Sequence, residues 1–243
     1  MGVFTPIRTP RASEEVFTQI KSSILTGKFQ SGSKLPSERE LTTAFRVSRG
    51  VIREALRMLE LSGFLTIRQG HGGGAYVTGL TLSHVENSFL DLFQTNTLSM
   101  AEVAQVRLFV EPEVARLAAL NFNKSHLKRL EDAEAAEHLP FQSEGERIAR
   151  LTKVHKVLAG ICGNQFFQAI VQSMMKITAE VVLTAVTDLE VLHGPGEHKA
   201  LVEVVKAGDG PRAAQEMATH LKDFAKNFVE LEKVYRRQMT IAR

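Results

Sequence analysis

The 243-residue sequence has a single cysteine, Cys162. No intrachain disulfide can form, so the fold rests on packing and hydrogen bonds, and a reducing compartment suits it. No uninterrupted apolar run approaches the roughly 18 residues that span a bilayer. The most apolar region, residues 169–186, is broken by Gln172, Lys176 and Glu180. The opening segment MGVFTPIRTPR has neither the apolar core nor the cleavage site of a secretion signal. A cytoplasmic protein without a membrane partner is expected. The G-x-S-x-G nucleophile elbow is also missing, which removes the hydrolase chemistry built on that turn.

Net charge is small, but its distribution is uneven. Residues 1–79 carry 11 Lys/Arg against 6 Asp/Glu, net +5, and residues 80–243 carry 19 against 21, net −2. A basic small part joined to a slightly acidic larger part suits a polyanion binder attached to a second module. The spacing predicts two domains, 1–79 and 80–243.

In the first part, Val16, Ile20 and Ile24, with Phe17 and Leu25 beside them, recur at helical spacing over 13–26. Ser37 followed by Glu40 is a capping box that opens a short helix to about Phe45, with Leu41 and Ala44 inward. Ser48 caps a third helix to about Ser62, whose buried stripe is Ile52, Ala55, Leu56 and Leu59, and Gly63 ends it. A short helix, a three-residue turn and a longer helix make a helix-turn-helix. Its second helix enters the major groove with its N-terminal residues against base edges. Here those residues are Ser48, Arg49 and Arg53. An arginine fork meets guanine or a phosphate with two hydrogen bonds. Arg39 stands near the start of the preceding helix, where amide ends and a guanidinium both face phosphate.

The stretch RQGHGGGAYV, residues 68–77, has three possible uses. HGGG suits an esterase oxyanion hole, but the elbow it requires is absent. Gly70-x-Gly72-x-x-Ala75 suits a dinucleotide loop, but a helix must open there, and Tyr76, Val77 and Thr78 are extended sequence instead. The remaining reading is a β-hairpin: strands over 64–68 and 75–77 around a glycine tip, the wing of a winged helix.

The run LPSERELTTAFRVSRGVIREALRMLELSGFLTIRQGHGGGAYV resembles the DNA-binding domain of the GntR family of bacterial transcription factors, over essentially all of residues 10–78. The resemblance implies a double-stranded DNA operator held by Arg39, Ser48, Arg49, Arg53 and, at the wing tip, Gln69 and Gly70.

Residues 80–243 show almost no strand signal. Helices are expected over 83–94, 99–121, 124–138, 146–162, 165–189, 197–207 and 211–238, cut by QTNTLS, FNKS, Gly163-Asn164, HGPG and AGDGP. Ser99 with Glu102 is a further capping box, and Pro211 suits a first turn. Pro112 predicts a kink or break inside 99–121. An all-α bundle of this size can enclose a cavity. The overall class is mainly α, a winged helix-turn-helix followed by a helical bundle.

His71, His84, His126, His138 and His193 fall near element ends. His155, His198 and His220 fall inside three different expected helices. They could converge on a divalent metal or remain ordinary core residues. The segments VRLFVEPEVARLAAL, VHKVLAGICGN, EHKALVEVVKAGD and AAQEMATHL resemble the all-helical FCD ligand domain of the FadR-type branch of the same family, over roughly 100–225. That resemblance implies a homodimer, a small-molecule effector and a metal, zinc or nickel, held by three histidines and an Asp four residues before the first. The histidines match His155, His198 and His220, but Leu151 replaces the Asp. Three imidazoles remain, as in three-His zinc sites. Arg107 matches a recurrent arginine of these domains and pairs either with an effector carboxylate or with a neighbour such as Glu111.

The expected function is a ligand-responsive transcriptional regulator, a repressor released by a metabolite such as an organic acid, and not an enzyme. The alternative is a metal-dependent enzyme of three-His type with an accessory DNA-binding domain. It needs a general base beside the metal, and Glu197 is the one acid adjoining these histidines.

Overall fold

The computed structural model describes residues 12–79, 82–185 and 196–241. The chain divides into two compact units, residues 1–84 and 85–243. His193 and the end of the helix expected over 165–189 lie outside the described residues.

The first unit contains α1 (Ala12–Leu25), α2 (Glu38–Phe45), α3 (Arg49–Leu61), β1 (Leu65–Arg68) and β2 (Gly74–Val77). Ser37 caps α2, and both halves of its capping box with Glu40 form. The Ser48 hydroxyl accepts from the Val51 amide at the head of α3. Such caps are worth about 1 kcal/mol each. Between the helices Arg46 adopts φ 54°, the left-handed residue that closes α2. The antiparallel hairpin pairs Leu65 with Val77 and Arg68 with Gly74. Its other edge is covered by the connector after α1, where Lys34 bridges Tyr76 and the Leu35 amide donates to the Ala75 carbonyl at 2.8 Å. Val16, Ile20, Leu35, Leu41, Ile52, Ala55, Leu56, Leu59 and Phe64 fill the core. Leu25 and Ala44, expected inward, are exposed. Leu25 is the last residue of α1, and beside Ala44 the half-buried terminal Phe45 of α2 takes the inward place.

The second unit is all helical among the described residues. It comprises α4 (Leu82–Gln94, beginning at the boundary), α5 (Met100–Asn121), α6 (Lys124–Ala135), a 3-10 turn (Ala136–His138), α7 (Glu144–Leu151), α8 (Lys153–Ile161), α9 (Gln165–Ala185), α10 (Lys199–Lys206) and α11 (Gly210–Ile241). The most extensive pairing is α5 with α11, and α8, α9 and α10 also pack on α5. α9 is long and apolar enough to cross a membrane, yet half of that stretch is buried in the bundle. Its Val171, Met174, Met175, Ile177 and Val181 belong to the core.

Of the kink or break expected at Pro112, no break occurs: α5 runs unbroken through it, although a mid-helix proline removes one hydrogen bond and costs about 3 kcal/mol. Residues on both sides of that point, Val103 and Ala104 before it and Val114, Ala115 and Ala118 after it, are buried in the core of the unit. Conversely, the single helix expected over 146–162 is two. Thr152 closes α7 and opens α8, and its hydroxyl donates back to the Ile148 carbonyl at 3.0 Å. Leu151 and His155 therefore sit on different helices.

Candidate functional site

The two units each carry a candidate site. In the first, α3 turns its apolar stripe inward, which leaves Arg49, Arg53 and Arg57 on the exposed side. Ser48 and Arg39 are exposed beside them. Arg53 Nε lies 3.4 Å from Glu38 Oε1 of α2, an open pair in which both side chains are largely solvated. Exposed pairs of this kind contribute at most about 1 kcal/mol, so a stronger anion displaces Glu38 at little cost. Gln69 and Gly70 are exposed at the wing tip. Gly70 has φ 83°, and no atom lies within 4 Å of where a Cβ would stand. Glycine is required there by backbone conformation and not by crowding.

In the second unit, the three histidines meet. His155 comes from α8, His198 stands at the head of α10 and His220 lies on α11. One ligand atom from each lies within 4.8 Å of the other two, and ring centroids are 4.6–5.3 Å apart. His155 and His198 are buried, and the His220 side chain is 9 % exposed. The His155 and His198 Nε2 atoms are 2.9 Å apart. Each histidine has a carboxylate at its Nδ1. Glu111 of α5 holds His155, Glu137 of the 3-10 turn holds His198 at 2.5 Å, and Glu197 lies 3.7 Å from His220.

Burial raises the Glu111 carboxyl, but the Arg107 guanidinium and the His155 ring outweigh it and hold the group down at about 2. At Glu137 burial prevails over the Gly196 amide that donates to it, and the group rises to about 7. Burial, then the neighbouring His155, keeps His198 well below the usual imidazole range. The Oε2 atom of Glu137 is buried without a hydrogen-bond partner.

This donor set suits a borderline divalent ion. Nδ1–H held by a carboxylate fixes the tautomer that presents Nε2 as a lone pair, the usual outer arrangement of histidine ligands. Sequence reasoning missed Glu137 altogether and named Glu111 only as a partner of Arg107. The acids lie 61 and 44 residues from their histidines. The one local signal was a carboxylate, Glu137, following the buried Ala133 and Ala136. Arg107 points inward as expected. It is 3 % exposed, its Nε donates to Glu111 Oε1 at 2.5 Å, and its guanidinium stands 5.5 Å from the Phe228 ring centre. Arg107, Glu111, His155 and His198 thus form one buried chain.

A winged helix-turn-helix with a basic recognition helix, joined to a helical unit with a polar centre, defines a ligand-responsive DNA-binding regulator. Two family models match the chain: bacterial regulatory proteins, gntR family, over residues 12–77, and the FCD domain, over residues 102–223. The chain belongs to the gntR family of bacterial regulatory proteins, a family of transcriptional regulators and not of enzymes, with an FCD domain as its second part. It is 30% identical over 227 residues to the HTH-type transcriptional repressor NanR of Cronobacter sakazakii, covering 89% of this chain and 85% of that one. It is 29% identical over 237 residues to the repressor of the same name from Klebsiella aerogenes, covering 94% and 89%. A solved structure, Streptococcus agalactiae GntR, shares the fold with a TM-score of 0.64 at 24% identity, over 88% of this chain and 99% of that one.

Proposed function

We propose that this protein is a cytoplasmic, homodimeric repressor whose operator is released when a small carboxylate binds in the FCD domain. The domains act as 1–79 for DNA and 80–243 for dimerisation and effector. The observation that carries the DNA reading is the exposed arginine row of α3, clear of the apolar stripe and beside a capped helix start. Arg49 and Arg53 read base edges, Ser48 and Arg39 hold phosphate, and Gln69 and Gly70 reach the neighbouring groove. Repression is taken from the named relatives, both transcriptional repressors.

In the second unit, His155, His198 and His220 hold a divalent ion such as zinc or nickel, and Glu111 and Glu137 orient the first two rings. The support is the 2.9 Å approach of two Nε2 atoms whose opposite nitrogens are held by acids. A bound ion supplies a positive centre for an anionic effector, and Arg107 gives a second cationic wall. Effector and DNA are coupled only if the effector binds the DNA-competent and incompetent states unequally.

The test is a gel shift on DNA upstream of the protein's own coding sequence, with and without zinc and a panel of organic acids. A specific shift abolished by one acid, and restored when His155 and His198 are both changed to Ala, supports the account. No specific shift with any duplex contradicts it.

A further inference from the structure

The wing contains one of only two tyrosines in the chain. Tyr76 lies in β2, half-buried, and two cations converge on its ring from different segments. The Arg68 guanidinium, at the end of β1, stands 4.2 Å from the ring centre. Lys34 Nζ, from the connector that bridges Tyr76, stands 5.7 Å from it. The same group of residues also ties down the glycine tip. The Tyr76 hydroxyl donates to the Gly72 carbonyl at 2.6 Å, and Lys34 Nζ donates to that carbonyl at 3.3 Å. A Cβ on Gly74 would lie 2.6 Å from Lys34 Cε, so glycine there admits the lysine.

Electrostatics makes this arrangement unusual for a surface. Residues 31–36 and 64–79 contain no Asp or Glu. Neither Lys34 nor Arg68 makes an ion pair among the described residues, and both are exposed. Two like charges are thus gathered over one ring, and the nearby Glu60 carboxylate is engaged by the Ile67 amide at 2.9 Å and not by either of them. Long basic side chains lose rotamer freedom when fixed, and here the ring and the Gly72 carbonyl already restrict it. Such a pair fits a partner with regularly spaced negative charges beside the groove that the tip approaches.

We propose that Lys34, Tyr76 and Arg68 form a phosphate clamp at the base of the wing. Lys34 and Arg68 each contact a phosphate of the DNA backbone, and Tyr76 is the positioning residue that holds both. The clamp rests on the reading of the first unit as the DNA-binding part. It supplies affinity and register but no sequence preference, since phosphates carry none directly.

The experiment is fluorescence anisotropy of the full chain on two labelled duplexes, the DNA upstream of its own coding sequence and a scrambled version. Association constants are measured from about 50 to 200 mM salt, where each phosphate contact contributes about 0.9 to the log–log slope. Lys34→Gln and Arg68→Gln are each expected to flatten the slope by that amount on both duplexes. Over this fourfold range each variant then loses about 3.5-fold less affinity than wild type, and the double variant about 12-fold less. Tyr76→Phe keeps the ring and the wild-type slope, whereas Tyr76→Leu moves toward the double variant. Preference for the upstream duplex persists in all five variants, which shows that the helix-turn-helix is still folded. Wild-type slopes in Lys34→Gln and Arg68→Gln overturn the clamp while leaving the DNA reading intact. Absence of salt-dependent binding by the wild type overturns both.

Discussion

The Nε2 atoms of His155 and His198 face each other at 2.9 Å, while their Nδ1 atoms are held by Glu111 and Glu137. Two lone pairs do not rest at that distance without a positive charge between them. Without metal, a proton fills the role. Glu137, raised to about 7 by burial, donates its own proton to His198 Nδ1 below neutrality. His198 Nε2–H then donates to His155 Nε2, and His155 Nδ1–H to the ionised Glu111. The nitrogens of both rings are then satisfied, while Glu137 Oε2 stays without a partner.

Replacing that proton with a metal changes the count. The acid proton of Glu137 and the Nε2 proton of His198 give way to a single Nδ1 proton between them. Zinc binding is therefore expected to release at least one proton below pH 7, and its affinity to rise by about tenfold per pH unit there. Calorimetry in buffers of different ionisation enthalpy measures the release, and a value of zero contradicts this arrangement.

Glu137 has a second consequence. Its carboxyl is raised in the folded state from an ordinary value near 4.5 to about 7. The stability it contributes is fully present below about pH 4.5 and is lost as pH rises through 7. Glu137→Gln should lack that decline, so the variant should gain on wild type between pH 5 and 8 in urea unfolding. Its zinc affinity should fall by about 10–100-fold, because His198 loses the acid that orients it. A variant with unchanged metal affinity would remove Glu137 from the site.

Glu111 works in the opposite direction. Its folded-state carboxyl is held at about 2, below the ordinary 4.5. That stability is present above pH 4.5 and disappears as pH falls toward 2. Glu111→Gln leaves Arg107 buried beside an uncharged amide, and losing one member of a buried pair costs about 3–5 kcal/mol. Thermal unfolding of wild type and variant should differ by that order at pH 7 and converge near pH 2. Parallel curves across the range would sink the assignment.

Much of this molecule was legible locally. Ser37 with Glu40 and Ser99 with Glu102 announced helix starts, and both capping boxes form. The glycine tip announced the wing. These signals lie within a few residues of what they specify. The failures concern what only packing decides. α5 runs unbroken through Pro112, and the chain breaks at Thr152 between α7 and α8, where no glycine or proline marks a break. The histidine cluster was reached through resemblance, since nothing in the spacing of 155, 198 and 220 fixes their meeting. Its supporting acids are set by how α5, the 3-10 turn, α8 and α10 pack, which no local pattern encodes.

A further fastening concerns α11. Arg236 donates to the Phe93 carbonyl at 2.6 Å and the Leu98 carbonyl at 3.1 Å, and pairs with Glu232 at 3.0 Å. One guanidinium thus ties the end of α4 and the following loop to α11. Charge-assisted bonds are worth about 1.5–3 kcal/mol each, so Arg236→Ala should destabilise the helical unit by about 2–4 kcal/mol in denaturant unfolding. Arg236→Lys should recover little, because a single ammonium lacks the fork that reaches all three acceptors. Full recovery by lysine would show that charge alone matters there.

The central claim is that α3 reads DNA through its exposed arginines, and the anisotropy of operator binding by Arg49→Ala and Arg53→Ala tests it most directly. Each substitution is expected to weaken binding by about 1–3 kcal/mol and to blunt discrimination at one base pair, with helix content unchanged. Wild-type affinity and wild-type discrimination in both variants would contradict the account.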